Sequence, residues 1–181
     1  MTVNMAAARP PSSGEEGAVL HSKYSKDLEM HVTIALRGGR IASVSLSDKE
    51  PPGTRRGGHP FLDRVIEHLA TGRDDLRDLP VDLPAPGFER EVLEAMRAIP
   101  PGEVVTYGEL ARRIGRPGAG RAVGNACARN RAIIVVPCHR VVPSSGGVGN
   151  YSGPGGARLK SMLLEKEGAL ENVKGGLGRD D

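Results

Sequence analysis

Apolar and polar positions alternate along two short stretches near the start of the chain. One is His31-Val32-Thr33-Ile34-Ala35-Leu36 and the other Arg40-Ile41-Ala42-Ser43-Val44-Ser45-Leu46. A period of two marks half-buried strands, and Gly38-Gly39 between them predicts a tight hairpin. The period then changes. Phe61, Leu62, Val65, Ile66 and Leu69 recur at helical spacing until Gly72 ends the run. Leu79 to Pro86 holds three prolines among apolar residues and predicts an extended linker. Beyond it, Phe88, Val92, Leu93 and Met96 mark another helix, stopped by Pro100-Pro101-Gly102. Thr106-Tyr107-Gly108-Glu109 fits a capping box that opens a short helix ending near Gly115. Arg116-Pro117-Gly118 makes a turn, and a second helix follows over Ala119 to Arg129, which together read as a helix–turn–helix. The unbroken run Ala132-Ile133-Ile134-Val135-Val136 predicts a buried strand. Ala157 to Lys166 is amphipathic through Leu159, Met162 and Leu163, with Gly168 as its stop. The expected organisation is a flexible tail over residues 1–17, an α/β domain over 18–80, a mainly helical domain over 81–168 and a flexible tail over 169–181.

Charge changes this picture. The 181 residues carry a net charge of only +3, but no Asp or Glu occurs from Leu110 to Lys160. That stretch contains Arg112, Arg113, Arg116, Arg121, Arg129, Arg131, Arg140, Arg158 and Lys160, a local charge of +9. A carboxylate beside a phosphate would repel it, and each arginine on a phosphate releases a counterion. A nucleic-acid partner is expected on that ground; the bland alternative is a solvated face. Two cysteines, Cys127 and Cys138, make no disulfide framework. No basic-then-apolar leader and no membrane-length run is present, so a reducing cytoplasm is expected. Aromatics are few, with Phe61, Phe88, Tyr24, Tyr107, Tyr151 and no tryptophan, so the core is expected to be aliphatic.

The candidate chemistry lies in Pro137-Cys138-His139-Arg140-Val141, directly after the apolar run. A cysteine there is either a buried packing residue or a nucleophile. An ordinary thiol, with a pKa of about 8.5, needs a base or a positive charge to react at neutral pH. His139 is adjacent, but neighbouring side chains need not meet, so direct pairing and relay through water are both open. Cys127 reads as a small packing residue, and its spacing to Cys138 and His139 matches no zinc pattern. The second helix, Gly120-Arg121-Ala122-Val123-Gly124-Asn125-Ala126-Cys127-Ala128-Arg129, has unusually small side chains. Each glycine weakens a helix by about 0.5–1 kcal/mol relative to alanine, so smallness implies close approach to another helix or to a DNA groove. Tyr107 and Ser152 have bland readings too, as a core ring and a turn residue.

These residues resemble the O6-alkylguanine-DNA alkyltransferases. The resemblance runs from about Phe88 to Gly168 and is carried by Ile99-Pro100, Gly102-Glu103-Val104-Val105-Thr106-Tyr107-Gly108-Glu109-Leu110-Ala111, Arg121-Ala122-Val123-Gly124, Asn130, Pro137-Cys138-His139-Arg140-Val141 and Gly149-Asn150-Tyr151-Ser152-Gly153. It implies a two-domain α/β protein, with a small ribonuclease H-like N-terminal domain and a mainly helical C-terminal domain bearing a winged-helix-like helix–turn–helix. It implies that Cys138 takes an alkyl group irreversibly from O6 of guanine, and from O4 of thymine. His139 would receive the thiol proton through water, Glu167 would polarise His139, and Tyr107 would assist the departing guanine at N3. Asn130 joins the catalytic set. Arg121, Ala122, Gly124, Cys127 and Arg129 are expected on the DNA, with Arg121 filling the place of a flipped nucleotide. Tyr107, Val141, Val148, Gly149, Asn150, Tyr151 and Ser152 are expected around the alkylguanine. The resemblance also implies minor-groove binding to duplex DNA, a monomer, and no metal or organic cofactor. Leu93 and Ile133 depart from the tryptophan and proline common there. A lesion-recognition relative without catalysis would lack the cysteine, a plain regulator would not need one, and a cysteine hydrolase would turn over many times.

Overall fold

The computed structural model describes residues 17–83 and 86–174. Strands β1 (Val19–Ser25), β2 (Met30–Arg37) and β3 (Arg40–Ser47) form an antiparallel meander in that order. The hairpin between β2 and β3 turns at Gly38 and Gly39, both at positive φ, and pairs Arg37 with Arg40. A two-residue turn needs that backbone, which glycine adopts without a Cβ penalty. Strand β1 escapes the sequence pattern because it is an edge: Lys23 and Tyr24 are exposed, and no clean alternation is left to see.

Helix α1 (Pro60–Thr71) buries Leu62, Val65, His68 and Leu69 and packs against β1 and β2. Proline at its start and Gly72 in the left-handed conformation at its end set its limits, while His59 Nδ1 accepts from the Phe61 amide at 3.2 Å. The proline-rich linker is no free spacer. Ile41 of β3 donates to the Pro80 carbonyl and accepts from Asp82, both at 2.8 Å, so the chain is laced to the sheet edge. Leu79, Val81 and Leu83 are buried there, and one apolar core runs without a break from Met30 to Leu163. Its aliphatic composition is as expected from the scarcity of aromatics.

Helix α2 (Gly87–Arg97) buries Val92, Leu93 and Met96. Two-residue strands β4 (Val105–Thr106) and β5 (Val141–Val142) pair in parallel beneath the helix pair α3 (Tyr107–Arg113) and α4 (Gly120–Ala128). Thr106 Oγ1 caps α3 by accepting from the Glu109 amide at 3.0 Å. Glu109 does not complete the box; its carboxylate accepts from Arg113 instead. Helix α5 (Gly156–Lys166) follows the polar loop.

Two expectations need correction. Residues 132–136 form a buried reverse turn and not a strand: Val136 donates back to the Ala132 carbonyl at 2.8 Å, and Ile134 sits at φ 74°. An apolar run reports burial but not period, and here β3 supplies a single backbone link, Val44 to Arg131. A β-branched residue at positive φ costs on the order of 1–3 kcal/mol and persists only where its surroundings hold it. The expected tail at 169–181 is in part folded. Helix α6 (Leu170–Lys174) is anchored by Ala169 and Val173, which join Val104, Val142 and Leu164 in a second small apolar cluster. That helix is too short to announce itself by periodicity. The rest of that tail, and residues 1–16 of the first, lie outside the described residues. Among the described residues no helix is long and apolar enough to cross a membrane.

Candidate active site

The reverse turn and the short 3-10 turn Cys138–Arg140 deliver the chemistry to the base of the helix pair. Asn130, at the end of α4, ties this segment together. Its side-chain amide donates to the Val136 carbonyl at 2.8 Å and to Cys138 Sγ at 3.2 Å, while its oxygen accepts from the Ala132 amide at 3.1 Å. A donor aimed at sulfur favours thiolate over thiol. Burial, with Cys138 only 3% exposed, pushes the thiol up, and Asn130, the Lys160 ammonium and the Tyr151 hydroxyl pull against it. Lys160 is itself 1% exposed and donates to the Val141 carbonyl at 2.6 Å. Burial pushes its pKa down to about 8, against the opposing influence of Cys138 and Cys127. Its ammonium stands 6.0 Å from the centre of the Tyr107 ring.

His139 is fully buried, and its Nε2 lies 2.8 Å from Glu167 Oε1. A carboxylate only accepts, so Nε2 carries the proton and Nδ1 keeps its lone pair. Nδ1 has no protein partner. Burial lowers the His139 pKa, opposed by Glu167 and reinforced by Arg140 and His68. Arg140 forks onto Glu167, Nε to Oε2 at 3.0 Å and a terminal nitrogen to Oε1 at 2.8 Å, and its other nitrogen donates to the Ile99 carbonyl. His68 of α1 brings its Nε2 to within 3.1 Å of Oε1. Burial raises the Glu167 carboxyl, but hydrogen bonds from His139, His68 and Arg140 outweigh it and hold the group well below the usual carboxylate range. His68, His139 and Glu167 also have the spacing of a metal-ligand set. The guanidinium already occupying both carboxylate oxygens opposes a divalent cation there, so the donor set fits a hydrogen-bonded network.

Helix α4 presents two unlike faces. Gly120 approaches the backbone of α3, and Gly124 lies against the Tyr107 ring, so these small residues serve close helix packing. Arg121, Ala122, Asn125 and Ala128 are exposed on the other face. Cys127 was expected with them, but its side chain points inward, 3.4 Å from Met96 Sδ. Residue 127 falls on the same side of the helix as Val123 and Ala126, and a groove-facing role for it is ruled out by that burial. Arg129 is exposed and paired with Glu89 at 3.0 Å.

Around the thiol, Val141 belongs to the core and Val148 packs on the second cluster. Gly149 is at positive φ with Pro143 directly behind it, and Gly153 lies under the Tyr151 ring, where a Cβ would meet a ring carbon at 2.5 Å. Asn150 and Ser152 are exposed, and the Tyr151 hydroxyl is buried without a hydrogen bond of ordinary geometry. Burial pushes the Tyr107 phenol up to about 12, with smaller contributions from Cys127 and Cys138, so it holds its proton at neutral pH. Sequence reasoning missed His68 and the positions of Lys160 and Arg140. The available signal was a polar residue on an apolar stripe: His68 beside Leu69 and three residues after Val65, and Lys160 beside Leu159 and three residues before Leu163.

The class these features define is a protein with a buried cysteine held by an asparagine amide, next in sequence to an imidazole–carboxylate pair, close to a helix–turn–helix. Comparison with known proteins narrows it. Residues 87–169 match the family model "6-O-methylguanine DNA methyltransferase, DNA binding domain". A methylated-DNA–protein-cysteine methyltransferase of Salmonella typhimurium is 44% identical over 84% of this chain and 83% of its own length. The crystal structure of Mycobacterium tuberculosis OGT in complex with DNA aligns with a TM-score of 0.70 and 31% identity, covering 83% of this chain and 93% of that one. Other matches cover less of the relative: the chain spans 31% of the length of the regulatory protein ada of Salmonella typhimurium and 62% of that of a Shigella flexneri methyltransferase. The chain belongs to the methylated-DNA–protein-cysteine methyltransferase family.

Proposed function

We propose that this chain repairs alkylated DNA by direct reversal, moving the alkyl group from O6 of guanine, or O4 of thymine, to Cys138. The observation that carries this reading is the pairing of Asn130 on the Cys138 sulfur with a His139–Glu167 dyad at 2.8 Å. The thiol proton passes through water to His139 Nδ1, whose lone pair Glu167 keeps free by holding Nε2–H. The sulfur then attacks the alkyl carbon, an S–C bond forms as the C–O bond breaks, and the electron pair leaves on guanine. Tyr107, still protonated, donates to N3 of the departing base. The product is a thioether that no group in the site can cleave, so each molecule acts once.

The target atom is stacked inside the duplex, so the nucleotide must be flipped out at a cost of a few kcal/mol. Arg121, exposed near the start of α4, would fill the gap, and the small Ala122 beside it would allow close approach in the minor groove. Arg129 contributes at the edge. The loop from Val148 to Ser152 would contact the base. We read the sheet-and-helix N-terminal unit as ribonuclease H-like and the α3–α4 pair with β4 and β5 as winged-helix-like. The protein is proposed to act as a cytoplasmic monomer, without metal or organic cofactor. The test is an intact-protein and peptide mass spectrum after mixing with duplex containing O6-methylguanine. One methyl group gained on the peptide holding Cys138, saturating at one per protein, supports the reading. Lesion-selective binding with no gain refutes it.

A further inference from the structure

Helix α1 belongs to the N-terminal unit, yet its buried His68 reaches Glu167, and the mechanism above leaves that histidine without a task. His68 is as buried as His139, and both imidazoles turn Nε2 toward Glu167 Oε1, at 3.1 and 2.8 Å. The contact is built into the backbone. Gly72 closes α1 so tightly against α5 that a Cβ there would lie 2.1 Å from the Lys166 carbonyl oxygen and 2.8 Å from the Glu167 amide nitrogen. Lys166 reaches back over the same turn, donating to the Ala70 carbonyl at 3.3 Å and pairing with Asp27 at 2.9 Å. The last turn of α1 thus grips the peptide that carries Glu167, and His68 grips its side chain.

We propose that His68 is a positioning residue for alkyl transfer, holding Glu167 Oε1 from the N-terminal unit so that Glu167 keeps His139 in the tautomer with a free Nδ1 lone pair. This rests on the alkyl-transfer reading. Glu167 has one oxygen, Oε2, committed to Arg140, and Oε1 must serve the other three N–H groups. With His68 removed, Oε1 loses one of its three donors, and the carboxylate is left to follow Arg140 with nothing from the N-terminal unit to fix its aim at His139. In metal sites, the hydrogen-bond partners behind a ligating histidine set its orientation and basicity, and losing one typically costs about 10- to 100-fold in affinity or activity. His139 is held in the same manner by Glu167, and the lower end of that range is taken for His68 one step further out.

The test compares the full-length wild-type protein with His68→Leu, which removes the donor, and His68→Gln, which keeps an amide N–H of similar reach. Rates of alkyl transfer are measured with free O6-benzylguanine and with O6-methylguanine duplex, and duplex affinity separately. His68→Leu is expected to slow both reactions by about 10-fold with duplex affinity unchanged, and His68→Gln to recover most of the rate. Leucine as fast as wild type, or glutamine as slow as leucine, overturns the proposal. Should His68→Leu not fold, nitrogen NMR of histidine-labelled wild-type protein decides: His68 and His139 are both expected as Nε2–H tautomers, and His68 protonated on Nδ1 alone overturns it. Failure of wild type to transfer at all would instead refute the function, a distinct outcome.

Discussion

Arg121 and Arg140 lie in the same acid-free stretch and carry the same charge, yet they do opposite work. Arg140 is 1% exposed and its guanidinium is spent on Glu167 and the Ile99 carbonyl. Arg121 stands in solvent with no ion pair among the described residues. The contrast extends to the whole +9 stretch. Lys160 is buried, and Arg113, Arg116 and Arg129 are paired with Glu103 and Glu109, with Glu91, and with Glu89. Only Arg112, Arg121, Arg131 and Arg158 are exposed without an ion pair among the described residues. A local charge count therefore overstates what is offered to a phosphate backbone. The buried cations act inside the fold instead, Arg140 on Glu167 and Lys160 near Cys138.

The sharpest way to break the comparison is at the centre itself. Cys138→Ser is expected to abolish transfer completely in the mass assay while duplex binding persists; any methyl gain on the serine protein would refute the assignment. Next in size is Glu167→Gln, which leaves Arg140 buried without its counter-charge. Breaking a buried pair typically costs about 3–5 kcal/mol, to be read from urea denaturation. The sign with pH follows. The folded carboxyl titrates well below its unfolded value of about 4.3. Its contribution is therefore full above that value and is lost as pH falls toward the folded titration. Wild type should lose more stability on acidification across that window than Glu167→Gln does.

Smaller effects test the surface. Arg121→Ala should leave stability within about 0.5 kcal/mol of wild type. It should slow repair in duplex far more than reaction with free O6-benzylguanine; equal losses would remove its flipping role. Arg129→Ala gives up an exposed pair with Glu89, worth about 0–1 kcal/mol. It should reduce the salt dependence of DNA binding by less than Arg112→Ala, which has no competing carboxylate. A reversed order would mean that Glu89 releases Arg129 on binding.

Lys160→Met sits between these groups. The ammonium favours the thiolate, and burial has brought its own titration to about 8. Replacing it should raise the Cys138 thiol pKa, seen as a shift of the alkylation rate by a small electrophile to higher pH. An unmoved profile would show that Asn130 and Tyr151 alone tune the sulfur.

The amino-acid sequence by itself determined the local devices. The glycine pair of the hairpin, the glycine ending α1, the Thr106 cap and the helix–turn–helix were all legible because each depends on residues a few positions apart. Cys138 and His139 were singled out by the motif that holds them. Asn130 and Glu167 were named only through family resemblance, because nothing in their neighbours marks a buried amide or acid. The tertiary structure alone decided which charges are buried and whom they meet. It set His68 on Glu167, turned Cys127 inward against Met96, and folded the apolar run at 132–136 into a turn. The reason is physical: periodicity and capping are local, whereas the fate of a buried charge depends on partners the chain brings from far along its length.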